Sequence, residues 1–212
     1  MYQPPHFQED RPEIMGDLIR AHPLATLVAA GRDGLIANHF PLLFLNAESG
    51  HGTLQGHMAK ANSLWTDFDP ATDVVAVFQG PQAYVTPSWY PSKAEHGRVV
   101  PTWNYAVVHA HGPLTVKDDA AWLRTHLAAL TATQEDGRAA PWGLADAPAG
   151  FIEKQLKGIV GFEISIHRLE GKWKMSQNRA DADREGVVAG LAAEGGEQAA
   201  RVSEGVADSR PD

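Results

Sequence analysis

Hydrophobic and polar residues alternate with a two-residue period over much of the chain, a pattern that predicts β-strands. The first predicted pair is Leu24 to Gly31 and Leu35 to Leu45, and the Asp-Gly turn between them is typical of a hairpin. Further strands are predicted at 53–57, 73–79, 82–86 and 102–116, with a last hairpin over 161–178. We expect the chain to turn at Gly80-Pro81 and at Glu170-Gly171.

Helical spacing of apolar residues occurs in segments between these runs of strands. The predicted helices are 10–22, 59–68, 118–131, 149–157 and 181–193. Because the strands come in runs joined by hairpins, we expect a mainly β fold, an antiparallel barrel with peripheral helices. One domain is predicted over residues 1–193, and residues 194–212 are expected to form a disordered tail rich in Gly, Glu, Ala and Ser.

Charge and composition exclude several classes of function. The chain has 212 residues, with 18 Lys and Arg against 26 Asp and Glu and a formal net charge of −8. This balance argues against nonspecific binding to nucleic acid or anionic membranes, which depends on basic side chains. Since there is no cysteine, disulfides, thiol nucleophiles and Cys-ligated metals are excluded. The N-terminus lacks a signal-peptide pattern and no apolar run is long enough to span a bilayer, so we expect a cytoplasmic protein.

The segment 84–112 concentrates aromatic residues and prolines. Three prolines prevent it from being one continuous strand, and a stiff loop with Trp89, Tyr90 and Trp103 could cover a flat conjugated ligand. Packing in the core is the alternative interpretation. Strand alternation places Asn104 among apolar neighbours, where a flavin or pterin edge or a neighbouring backbone would satisfy its amide.

Two shorter motifs suggest polar contacts to a ligand. In "GHMAKAN", a helix starting near Ala59 would place free N–H groups and Lys60 around a phosphate, unless Lys60 is simply solvated. "KMSQN", residues 174–178, offers three consecutive hydrogen-bonding side chains, or a plain polar turn. His109-x-His111, with His39 and His57, has the residue type of a metal site, but no carboxylate lies at a helpful spacing, and we expect no metal.

Several longer motifs together resemble those of the PaiB family of FMN-binding negative transcriptional regulators. The segments are "ANHFPL" (37–42), "GHMAKAN" (56–62), "VFQGPQAYVTPSWYPSK" (77–93), "VPTWNYAVVHAHG" (100–112), "GIVGFEI" (158–164), "WKMSQNR" (173–179) and "DREGVVAGL" (183–191). The resemblance implies a split β-barrel of the flavin reductase and pyridoxamine-phosphate oxidase kind. It also implies a homodimer with FMN at the subunit interface.

By this resemblance, nine residues are candidates for lining the FMN site: Asn38, His39, His57, Lys60, Trp103, Asn104, Ser176, Gln177 and Asn178. Lys60 would hold the phosphate. Trp103 would stack on the flavin ring. Asn104 and the segment 176–178 would bind the polar edge or the ribityl chain.

Three functions follow as hypotheses: regulation of transcription, flavin-dependent redox chemistry on an unidentified small molecule, and, as an alternative, binding or degradation of haem. A helix-turn-helix needs two consecutive helices with basic and amide groups on the second, and none is evident. Direct DNA binding therefore has weak support, although a dimer could present Lys93, Arg98 and Lys154 or Lys157 as a local basic patch. The redox hypothesis needs no acid–base pair, because the flavin supplies the chemistry.

Overall fold

The structure of the protein is a computed structural model that describes residues 1–46 and 50–209. The strands are β1 (Gln8–Glu9), β2 (Leu24–Gly31), β3 (Gly34–Pro41), β4 (Leu43–Leu45), β5 (Thr53–Ala59), β6 (Val74–Val85), β7 (Thr102–Gly112), β8 (Leu114–Lys117), β9 (Ile159–Ser165) and β10 (Arg168–Lys174). The helices are α1 (Pro12–Ala21), α2 (Leu64–Asp67), α3 (Ser92–His96), α4 (Ala120–Glu135), α5 (Ala149–Leu156), α6 (Asp181–Glu194) and α7 (Glu197–Asp208). The predicted class, mainly antiparallel β with peripheral helices, is confirmed.

The chain divides into two compact units, each built from several stretches of sequence. The first unit comprises Met1–Leu18, Gln79–Val108 and Glu170–Asp212, and the second comprises Ile19–Phe78 and His109–Leu169. Strands β6 and β7 contribute residues to both units. Because the two units interleave along the chain, the single domain predicted over residues 1–193 stays a prediction.

In the first unit, the strand order is β1-β10-β7-β6, and β1 pairs antiparallel with β10. Helix α1 buries Met15 and Leu18 against this sheet. Two glycines make room for them. A Cβ at Gly171 would lie 2.8 Å from Met15 Sδ, and one at Gly80 would lie 2.8 Å from Leu18 Cδ1.

These two glycines explain two wrong predictions of turns. Strand β6 runs through Gly80-Pro81 without turning, and Glu170-Gly171 lies inside β10. The glycines allow a helix to pack closely against a strand, which a sequence pattern does not distinguish from a turn. The chain instead turns between β9 and β10, which belong to different sheets, so the predicted hairpin over 161–178 is also wrong.

The second unit contains two sheets, with strand orders β7-β6-β2-β3 and β4-β5-β9-β8. The predicted hairpin is confirmed, since β2 and β3 pair antiparallel from Leu24 opposite Pro41 to Gly31 opposite Gly34. Its second strand, predicted over 35–45, is instead divided at Leu42 into β3 and β4, which belong to different sheets. The predicted strand over 102–116 is divided at Pro113, and β8 pairs with β9. The described strands therefore form separate sheets instead of one closed barrel.

The C-terminal segment forms a helix where we expected disorder. Helix α7 buries Val202 and Val206 completely, and it packs against α6. Gly195 and Gly196 have positive φ angles of 77° and 88°, which permit the sharp connection between the two helices. The composition suggested a tail because the apolar residues are few, although they are correctly spaced for one helix face. The last predicted tail residues, 210–212, lie outside the described residues.

Among the described residues, no helix has the length and apolar character that crossing a membrane requires.

Candidate functional site

Asn104, on the buried face of β7, has an incompletely satisfied side-chain amide. It is 1% exposed, and its Nδ2 donates to Ser176 Oγ over 2.9 Å. Its Oδ1 has no hydrogen-bond partner among the described residues. A buried acceptor without a partner costs about 1–3 kcal/mol, so such an atom indicates a missing partner such as a ligand or water.

Ser176 follows the end of β10 and has a left-handed backbone with a φ of 62°. It is buried beside Asn104, which brings the two predicted motifs "VPTWNY" and "KMSQN" together within the first unit. A left-handed φ is unfavourable for a serine, so the position is strained. The hydrogen bond to Asn104 helps to hold it.

Lys174 makes a second connection between the same two segments. Its Nζ donates to the main-chain oxygen of Trp103 over 2.6 Å and to Thr102 Oγ1. Burial lowers the pKa of Lys174, and the positive charges of Lys172 and Arg179 lower it further. Residues 174 and 176 thus hold the first three residues of β7.

Trp103 presents its ring on the exposed face of the same strand. Its side chain is 53% exposed and meets Tyr84 of β6 edge-on, with ring centroids 5.9 Å apart and an angle of 70° between the rings. Tyr84 is 46% exposed. Two large aromatic rings exposed together form a surface on which a planar conjugated ring could stack.

The other aromatic residues of the predicted covering loop pack against helix α6. A Cβ at Gly190 would lie 2.2 Å from the Trp89 ring, so this glycine is required for the packing. Tyr90 is buried, and the Arg179 guanidinium lies 4.9 Å from its ring centroid. The core-packing alternative is therefore confirmed for Tyr90, whereas Trp89 is half-buried against α6.

Asp183, a buried residue of α6, fixes the start of α3. Its carboxylate accepts hydrogen bonds from the Ser92 backbone N–H over 3.1 Å and from Ser92 Oγ over 2.7 Å. This residue was not among those predicted from the sequence. It is part of the "DREG" motif, so a search for acidic residues at the start of the last predicted helix would have found it.

Gln177 and Asn178 complete the group in the first unit. Gln177 accepts from the Met175 backbone N–H and donates to the Trp173 main-chain oxygen, both over 2.7 Å. Its side chain thus closes a local turn, as the alternative interpretation of this motif expected. Asn178 is exposed.

In the second unit, Lys60 lies in a turn after β5. The predicted helix over 59–68 is wrong in its start, because α2 comprises only Leu64–Asp67. The Lys60 ammonium lies 2.7 Å from Asp118 Oδ1, and its backbone N–H bonds to the Gly158 oxygen. No helix N-terminus therefore supports phosphate binding at Lys60.

Asn38 and His39 occupy opposite faces of β3. Asn38 Oδ1 accepts a hydrogen bond of 3.0 Å from Asn62 Nδ2. Asn62 Oδ1 in turn accepts from the Leu64 backbone N–H and supports the start of α2. His39 is exposed.

His57 forms a histidine pair with His126 of α4. His57 Nδ1 lies 3.1 Å from His126 Nε2, and the Trp122 ring stacks on His126 with centroids 5.1 Å apart. Burial lowers the pKa of His57. Burial, and secondly the neighbouring His57, lower the pKa of His126 to about 4.

His126 was not among the residues predicted from the sequence. It follows Trp122 by four residues on a helix, so these two side chains lie on one face, and this spacing would have drawn attention to His126. His57 Nδ1 is bonded to His126 and is not available to a metal. His111 Nδ1 lies 3.1 Å from Arg168 Nη2.

The predicted site residues thus fall into two groups. Trp103, Asn104, Ser176, Gln177 and Asn178 belong to the first unit. Asn38, His39, His57 and Lys60 belong to the second.

The sequence of the chain is similar to known proteins over nearly its whole length. A family model described as "Putative FMN-binding domain" matches residues 1–168. "Protease synthase and sporulation protein PAI 2" of Bacillus subtilis is 33% identical over 206 residues, covering 96% of this chain and 95% of that protein.

The structure is similar to two solved proteins at low sequence identity. One is described as an FAD and heme binding protein from Mycobacterium smegmatis, with a TM-score of 0.60, 18% identity and coverage of 90% of this chain and 80% of that chain. The other is the flavocytochrome Anf3 from Azotobacter vinelandii, with a TM-score of 0.53, 14% identity and coverage of 79% and 69%. At this identity the likeness shows a shared fold.

Proposed function

Since this chain belongs to the PaiB-type family of FMN-binding domains, we propose that it binds FMN beside Trp103 and Asn104 in the first unit. FMN is the cofactor that the family description names, as the sequence predicted. The proposed location of the FMN site rests on one observation: the buried side-chain oxygen Oδ1 of Asn104 has no partner among the described residues, and the residue before it in the strand is an exposed tryptophan.

The chemistry of these residues fits a flavin. An isoalloxazine ring offers a flat aromatic face for Trp103 or an imide N–H for the free acceptor of Asn104. Because these consecutive side chains point to opposite faces of β7, one ring does not contact both with the strand as it stands. The amide nitrogen of Asn104 donates a hydrogen bond to Ser176 Oγ, so the oxygen is the amide atom left without a partner among the described residues and is an acceptor for a ligand. Solvent does not reach this oxygen in the structure, so a ligand that bonds to it must displace the segment covering it.

The exposed aromatic surface supports the proposal of a homodimer. Tyr84, Val100 and Trp103 of the first unit are each roughly half exposed or more. Exposed apolar residues of this size are typical of surfaces that bind a partner. A second copy of the chain would cover them and enclose the flavin. Light scattering with size-exclusion chromatography, with and without FMN, tests this assembly, and a monomer under both conditions would contradict it.

Two functional roles, redox catalysis and regulation, are consistent with a chain that binds a flavin. A bound flavin supplies hydride and electron transfer, and the residues around it bind and orient it and exclude water. The name of the Bacillus relative refers to protease synthesis and sporulation, and a regulatory output of this kind is the second hypothesis. With a net charge of −8, we favour a regulatory effect through small-molecule or redox chemistry over direct contact with DNA.

The absorption spectrum of the purified protein, recorded after addition of FMN and removal of the excess, tests the cofactor. We expect the visible bands of a bound flavin. A haem band, or a colourless protein that retains no FMN, would contradict the proposal. Addition of NADH or NADPH under anaerobic conditions then distinguishes the redox role from the regulatory role, since bleaching of the flavin bands indicates a redox enzyme.

A further inference from the structure

We infer that Lys174 is a positioning residue that fixes the Trp103 ring for stacking, an inference that rests on the flavin site proposed above. The Lys174 ammonium bonds directly to the main-chain oxygen of Trp103, 2.6 Å away, and to the neighbouring Thr102 hydroxyl. It thus holds both the residue that bears the ring and the residue before it.

The Trp103 ring is half exposed, so its orientation depends in part on its backbone and its neighbours. It is 53% exposed, and its ring contact is an edge-on approach to Tyr84, which is itself 46% exposed. A half-exposed tryptophan is free to change rotamer unless its backbone and neighbours restrict it. The hydrogen bond from Lys174 fixes the plane of the peptide group that follows Trp103.

Residues 174 and 176 act on consecutive positions of β7. Lys174 holds Thr102 and Trp103, and Ser176 holds Asn104 through its side-chain amide. The two residues of β7 proposed to contact the flavin, Trp103 and Asn104, are therefore both held by one short segment. This arrangement explains why the "SQN" motif lies near the site although Gln177 bonds to its own turn.

The lysine occupies an electrostatically unfavourable position. It is partly buried, and Lys172 and Arg179 place two further positive charges near it. An apolar side chain would avoid both the desolvation and the repulsion. The two hydrogen bonds to Thr102 and Trp103 offset these costs, and they require a donor at this position.

Lys172 offers a matched control on the same strand. It is buried, donates to the Tyr2 main-chain oxygen over 3.0 Å, and lies 5.5 Å from the ring centroids of Tyr2 and Tyr105. Lys172→Met therefore removes an equivalent charge from β10 without removing the bond to Trp103.

The test is a double-mutant cycle in which FMN dissociation constants are measured from the quenching of flavin fluorescence. We expect Lys174→Met to weaken FMN binding about tenfold, the order of magnitude of a lost aromatic stacking contact. In the Trp103→Ala background, the same substitution changes the affinity little. Lys174→Arg, which retains a cationic donor, restores part of the affinity, and Lys172→Met leaves it unchanged.

An equal loss in both backgrounds would overturn the inference, because Lys174 would then act on the ligand independently of the ring. Wild-type affinity in Lys174→Met would also overturn it. If instead Trp103→Ala binds FMN as tightly as wild type, the proposed flavin site itself is wrong.

A second readout does not depend on FMN. The near-ultraviolet circular dichroism of Trp103 is obtained as the difference between each protein and its Trp103→Phe counterpart. We expect this difference spectrum to decrease in Lys174→Met and to persist in Lys172→Met. Thermal unfolding of each variant shows that it is folded, and an unchanged difference spectrum in a folded Lys174→Met protein contradicts the inference.

Discussion

The polar clusters of the two units differ in how their side chains are satisfied. In the second unit, His57 pairs with His126, Asn38 with Asn62 and Lys60 with Asp118, while His39 is exposed and the buried Nδ1 of His126 has no hydrogen-bond partner among the described residues. In the first unit, Asn104 keeps an unpaired acceptor behind a half-exposed Trp103. The comparison favours the first cluster as the ligand site, because its unpaired atom neighbours an exposed aromatic residue, whereas the candidate side chains of the second cluster are paired within the chain or exposed.

The largest expected effect is the pH dependence of stability caused by His126. Its pKa is about 4 in the folded protein and near 6.5 when unfolded, so acid protonates the unfolded chain first. The stability present above pH 6.5 is therefore lost as the pH falls towards 4, by an amount on the order of 3 kcal/mol. Urea unfolding at several pH values measures this loss.

His126→Gln is the control for this measurement, because glutamine does not titrate. The variant should show a smaller loss of stability between pH 6.5 and 4 than wild type. Identical pH profiles for the two proteins would show that the histidine pair does not carry the expected effect, and the interpretation of the second cluster would fail.

Trp103→Ala should weaken FMN binding by about tenfold or more, since stacking on an aromatic side chain contributes about 1–3 kcal/mol. Trp142 is the matched control, because it is 45% exposed but lies in the second unit. Isothermal titration calorimetry with FMN compares the two alanine variants. If Trp103→Ala and Trp142→Ala bind FMN equally well, the exposed tryptophan of the first unit contributes no more to flavin binding than that of the second.

Ser176→Ala should lower the free energy of unfolding by about 1–2 kcal/mol, because the buried amide of Asn104 then loses its acceptor. Ser176→Gly loses the same bond but relieves the backbone at φ 62°, so it should be the more stable of the two. Thermal unfolding measures both variants. If alanine is the more stable, the left-handed backbone is not a source of strain.

Lys60→Ala should have the smallest effect. Its ion pair with Asp118 is well exposed, and such pairs contribute little to stability. Since Lys60 belongs to the second cluster, the account predicts unchanged affinities for FMN and for riboflavin, whereas a loss confined to FMN would place the phosphate at Lys60 and contradict the comparison. Equal changes for both ligands would exclude a phosphate contact at Lys60.

The sequence predicted the class of fold because alternation and helical spacing report which face of an element is buried. The hairpin at Asp33-Gly34 and helices α1 and α4 to α6 were placed correctly to within a few residues. Gly80 and Gly171 misled the prediction, since a glycine that admits a helix side chain has the same local signature as a turn.

The nine candidate residues were predicted to line one site, and they belong to the two units as groups of five and four, whose contacts the sequence did not predict. The pairing of Asn104 with Ser176 joins residues 72 positions apart, and no local pattern reports such a pair. The same holds for His57 and His126, which are 69 positions apart. Lys174 was part of a motif, but its role became visible only through its bond to Trp103.

The most direct test of the central claim compares the FMN affinities of Asn104→Ala and His57→Ala at pH 7.5, where both histidines of the pair are neutral. The account predicts that Asn104→Ala binds FMN clearly more weakly than wild type, while His57→Ala loses stability but keeps its affinity. Weak binding in folded His57→Ala, together with wild-type affinity in Asn104→Ala, would contradict it and place the flavin with the second cluster.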